Sequence, residues 1–139
     1  MLQHENILLI APPWLQIWLF VGIAVNAASI LFIWKRPEAR WVFLGFIVAG
    51  VWMEAHKQLF GHDRLMSLGH LVGWTPFVIY LIVRLPKIDR SGLFGIWINA
   101  LLLLDSVYLV LDANEVVQYF QGDKYPAWMI GYRHDHPAT

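Results

Sequence analysis

The length of its apolar runs constrains this chain more than any other feature. From Leu93 to Leu111 the sequence reads LFGIWINALLLLDSVYLVL, with Asp105 its one charged residue. A helix needs about 20 mostly apolar residues to cross the roughly 30 Å hydrocarbon core of a bilayer. Similar stretches recur earlier in the chain. With 58% hydrophobic residues and only 14% charged, a soluble domain of 139 residues could not hide so much apolar surface. The sequence therefore predicts an all-α integral membrane protein, a single four-helix antiparallel bundle over residues 1–139.

The expected spans are 13–34, 41–60, 65–83 and 93–111. The fourth continues as a helix to Phe120, with Gly122 as its stop. Pro12 and Pro13 suit a helix start, where a missing N–H costs little. Short loops join the spans, so neighbours pack antiparallel. The second span is uninterrupted only over the 13 residues from Trp41 to Met53, and needs Glu54 to Phe60 as its last two turns. The opening MLQHENILLIAPPW has no basic region and leads into a retained helix rather than a signal peptide. At the other end, the tail from Gly122 to Thr139 is aromatic (Tyr125, Trp128, Tyr132). It is expected on the outer membrane surface or against another subunit.

Basic residues set the orientation. The loop after span one carries Lys35, Arg36 and Arg40, and the loop after span three carries Arg84, Lys87 and Arg90. The positive-inside rule puts both loops in the cytoplasm. The GHDR loop (Gly61 to Arg64) and both termini then face outward, toward the periplasm if the membrane is a bacterial inner membrane. All 6 histidines fall on that outer side.

The polar residues of the spans gather near the same level. With a rise of about 1.5 Å per residue, Glu54, His70 and Asp105 each lie roughly 7–10 Å below the outer ends of their helices. His56 and Lys57 stand about a turn higher. Asp105, Tyr108, Asp112, Glu115 and Tyr119 form one stripe on span four. Ser67, His70, Trp74 and Phe77 share a face of span three; Gly22, Asn26 and Ser29 share one of span one. Each group has a plain structural explanation: Glu54 pairs with Lys57, His70 bonds to Ser67 or a carbonyl, and Asp105 fixes helix packing. Together they form a candidate pocket, because ionisable groups inside a membrane are functional hypotheses by default.

The leading expectation is an outward-facing pocket for a metal ion, a proton or a small ligand. Glu54, His70 and Asp105 form its inner shell, with His56, Lys57, Trp74, Tyr108 and Asp112 around them. The same three residues are the candidate ligands of a divalent transition metal. The HDH tail, His134 to His136, is a second, loose metal candidate. Haem between His56 and His70 is disfavoured, because His56 points to a different face from Glu54. A through-path for protons lacks polar groups in the inner half, where only Asn26, Ser29, Asn99 and Thr75 occur. Two competing readings remain. One is a non-catalytic accessory subunit of a larger membrane complex or homo-oligomer. The other is a membrane enzyme using a buried carboxylic acid on a lipophilic substrate. The chain has no cysteine, which excludes disulfides and thiolate chemistry. Its 10 basic and 10 acidic residues give no electrostatic support for nucleic-acid binding.

Overall fold

A computed structural model describes residues 11–126 and 129. These residues form four α-helices with short 3-10 turns and no strand. Helix α1 spans Pro13–Ala27 and runs on as a 3-10 turn to Leu31. Helix α2 spans Pro37–Phe60, α3 Leu68–Arg84 and α4 Gly92–Phe120. Both α1 and α2 start on a proline that follows an extended residue, the position where the ring costs no hydrogen bond. Gly61 ends α2 at φ 81, a conformation that a side chain would strain. Asp63 then caps the 3-10 turn Arg64–Ser67 leading into α3, its carboxylate accepting from Leu65 N at 2.9 Å. Pro76 lies inside α3 on an exposed face, and the helix continues through it.

Three stretches are long and apolar enough to cross a membrane: Pro13–Leu31, Arg64–Lys87 and Gly92–Phe120. α2 has the length, at 24 residues, but its terminal turns carry Glu38, Arg40, Glu54 and Lys57. All four helices turn large apolar side chains outward, among them Ile17, Phe20, Ile47, Val51, Ile79, Ile82, Leu103 and Val110. A soluble monomer rarely leaves so much contiguous apolar surface to water. The all-helical fold and its apolar exterior are consistent with a helical membrane protein.

Packing shows the helices running antiparallel. Gly45 and Ala49 of α2 lie against Gly73 of α3, while Ala49, Trp52 and Met53 lie against Gly69. As numbers rise in α2 they fall in α3. A Cβ on Gly73 would stand 2.6 Å from Gly45 O, so the two backbones approach closely because both residues are glycine. Within the stretch GHLVGWTP, Gly69 and Gly73 thus form the packing face of α3 toward α2. α4 lies antiparallel to both α1 and α3. Trp18 meets Tyr108, Asn26 meets Asp105, and Phe32 meets Phe94; His70 meets Asp112, and Trp74 meets Tyr108. One face of α4 is buried from Phe94 to Asp112. It begins apolar (Phe94, Trp97, Ile98, Leu101) and continues polar (Asp105, Tyr108, Asp112).

Candidate ligand cavity

The polar half of the α4 face organises one end of the bundle as a series of partners, one helical turn after another. Deepest is Asp105, fully buried. Asn26 of α1, also fully buried, donates to it from Nδ2 at 2.9 Å and to Gly22 O at 3.1 Å. Asp105 Oδ2 and Asn26 Oδ1 have no partner among the described residues. A turn nearer the end, Tyr108 stacks on Trp18 at 4.4 Å and donates its hydroxyl to Trp18 O. The hydroxyl rests over Gly22, where a Cβ would meet it at 2.5 Å. The next turn brings Asp112 to His70, Nδ1 to Oδ2, at 2.8 Å. The His70 ring stacks on Trp74 at 4.2 Å.

The end of the bundle is tied together by charge. Buried Arg64 donates from Nη1 to Glu115 at 2.6 Å and from Nη2 to Asp123 at 2.8 Å. Its backbone N–H donates to Lys124 O at 2.9 Å. The start of the α3 segment is therefore clasped to the end of α4. Across the Gly61 turn, His56 Nε2 meets Asp63 at 2.9 Å.

A cavity of about 590 Å³ opens at this end, within the range of roughly 300–1,000 Å³ typical of small-molecule sites. One wall is the first two turns of α1, with Trp14, Leu15, Trp18 and Leu19. Met53, Met66, Leu111 and Met129 extend the apolar lining. Polar groups enter from the other side: Asp63, Arg64, His70, Tyr108, Asp112 and Glu115. α1 is tied to α4 by hydrogen bonds at Trp18 O, at the cavity, and deeper at Val25 O and Asn26.

His70 has chemical capacity here. An ionised Asp112 can only accept, so their bond places the ring proton on Nδ1 and leaves Nε2 an acceptor. No described residue bonds Nε2.

Of the candidate pocket residues, His70, Tyr108 and Asp112 line the cavity, as do Ser67 and Glu115 of the same stripes. The expected inner shell does not assemble. Glu54 is on the outside of α2, its side chain 57% exposed, bonded to Lys57 at 2.5 Å and Gln58 at 2.8 Å on its own helix. Asp105 lies below the cavity, engaged with Asn26. Among the described residues no three His, Asp or Glu side chains are grouped to hold a metal. His56 and His70 bond to different carboxylates, Asp63 and Asp112, rather than facing one another as a haem pair. Trp74 is buried behind His70 and does not line the cavity. The tail residues Trp128, Tyr132 and His134 to His136 lie outside the described residues.

Two parts of the site were not anticipated. The α1 wall has no polar signature, so its face is read only from the packing of Trp18 and Gly22 on Tyr108. The Arg64 clasp joins residues 51 and 59 positions apart. Its signal was an arginine in a tight loop at the level of acidic residues ending the last helix. No protein-family model, curated protein or solved structure matches this chain.

Proposed function

We propose that this chain is a small membrane protein that binds an amphipathic molecule in the cavity at the Asp63 end of the bundle. The observation that carries this reading is the cavity's division into two chemistries. One wall is apolar and aromatic; the other presents an oriented His70–Asp112 pair with an unengaged ring nitrogen. Such sites bind through apolar area and take their selectivity from a few placed polar groups. Lys35, Arg36, Arg40, Arg84, Lys87 and Arg90 gather at the opposite end, which supports placing that end in the cytoplasm and the cavity at the outer leaflet. Exposed Trp14 stands where a bilayer-dissolved molecule would enter from the side.

Native mass spectrometry of protein extracted in mild detergent tests the reading. The wild type should carry a small-molecule adduct. Leu111→Trp and Ser67→Trp, which fill the cavity, should lose it while keeping the helical circular-dichroism spectrum. His70→Ala should weaken retention without unfolding. Wild-type protein with no adduct, or an adduct indifferent to both filling variants, would overturn the proposal.

A further inference from the structure

Resting on the cavity as a ligand site, we infer that its ligand is a cation, a lipophilic amine or quaternary ammonium rather than an anionic or neutral lipid. The charges that face the cavity decide this. Three carboxylates line it, Asp63, Asp112 and Glu115, against one permanent cation, Arg64, and two histidines, His62 and His70. The charge of Arg64 is already matched twice, by Glu115 and by Asp123. The side-chain partners of Asp63 and Asp112 are histidines, His56 and His70, and Asp63 also accepts the Leu65 N–H. With histidines counted as neutral, the wall carries net negative charge. An anion placed there meets Asp112 and Glu115 with no unmatched cation to receive it. A neutral head leaves the excess charge uncompensated. A cation compensates it, most effectively beside Asp112, the less solvated of Asp112 and Glu115.

The opposite wall suits the same class. Trp14 and Trp18 bring indole rings to the cavity, and Tyr108 of α4 adds a phenol ring beside them. Aromatic rings attract cations through their quadrupole, most strongly where water is excluded. Carboxylates on one side and aromatic rings on the other form the complementary environment of an organic cation with apolar substituents. The flexible thioethers of Met53, Met66 and Met129 can adapt to different substituent shapes.

Tetraphenylphosphonium and tetraphenylborate, alike in shape and opposite in charge, separate charge from size. They are titrated calorimetrically into the full chain in a non-ionic detergent, with empty micelles as blank. The phosphonium should bind at least about tenfold more tightly than the borate. Asp112→Asn should pull that ratio toward one. Glu115→Gln, at a partly exposed position, should do so in part and covers the case in which Asp112→Asn fails to fold. Leu111→Trp should weaken both probes. Borate binding equal to or tighter than phosphonium binding overturns the charge class and leaves the cavity standing as a ligand site. Binding of neither probe by the wild type, or binding indifferent to Leu111→Trp, overturns the charge class and counts against the cavity itself.

Discussion

At the scale of single residues, two kinds of buried position carry the fold, and they fail in different ways. Gly73 is a matter of space. A methyl there would press on the backbone of Gly45 and on Ala49, which cannot swing aside as a side chain tip can. Gly73→Ala should therefore destabilise the bundle by about 1–3 kcal/mol. Gly50, on the same helix as Gly45, has open space around it, and Gly50→Ala should be neutral or slightly stabilising. Unfolding titrations in mixed micelles distinguish the two, and equal effects would contradict the helix packing. Asn26 is a matter of polarity. Asn26→Ala strands the Asp105 carboxyl without its side-chain partner, at a cost of about 1–3 kcal/mol. Replacing both residues with leucine removes the stranded group and should recover most of that loss. A double-mutant cycle measures the coupling, and additive losses would show that the bond contributes nothing.

At the scale of elements, α4 is the organiser, because its buried residues meet both the α1 segment, from Trp18 to Phe32, and α3, at His70 and Trp74 and through the shared apolar core. Its last turn is held by the Arg64 clasp rather than by apolar burial, since Val117 and Phe120 point outward. Glu115 and Asp123 are partly solvated, so the two ion pairs are discounted from the fully buried case. Arg64→Ala should cost about 1–2 kcal/mol and act locally. Hydrogen exchange should rise over residues 118–124 and stay unchanged over 41–53, where α2 packs on α3. A uniform rise would mean the clasp supports the whole bundle. At the opposite end, the loop before α4 is shaped by Asp89, which accepts the Ser91 N–H at 3.0 Å. That bond holds the Asp89 carboxyl below the usual range. Its contribution is present at neutral pH and fades as pH falls through the lowered value. The Ser91 amide resonance should follow that titration, and an amide indifferent to acid would exclude the bond.

At the scale of the whole molecule, the chain is polarised end to end. Histidine–carboxylate pairs and the cavity stand at one end. At the other are the basic loops, with exposed Trp34 and Trp41 beside them and Arg84 3.8 Å from Glu38. The absence of native cysteine makes this directly measurable. Gln58→Cys and Lys87→Cys, both exposed, should react with an impermeant maleimide from opposite sides of intact vesicles. Labelling of both from one side would contradict the transmembrane arrangement.

Local pattern in the sequence was enough to define the helices. Apolar runs of membrane length specify α1, α3 and α4, while α2 is broken by charge near both ends. The bounds shift in the structure: α1 ends at Ala27 before its 3-10 turn, short of Trp34, α2 begins at Pro37 rather than Trp41, and α3 begins at Leu68 after a 3-10 turn. The stripe from Asp105 to Glu115 specifies which face of α4 turns inward, because helical periodicity needs no partner to be read. Which residues meet across helices was settled by packing in three dimensions. Glu54, His70 and Asp105 sit at similar depths, but depth is one coordinate and a site needs three. The phase of α2 turns Glu54 outward to Lys57 and Gln58, and the approach of α1 gives Asp105 to Asn26. The cavity wall of Trp14, Leu15, Trp18 and Leu19 is similarly invisible in sequence, because in a membrane helix the lipid-facing and cavity-facing sides are both apolar. Only packing against Tyr108, over Gly22, tells them apart.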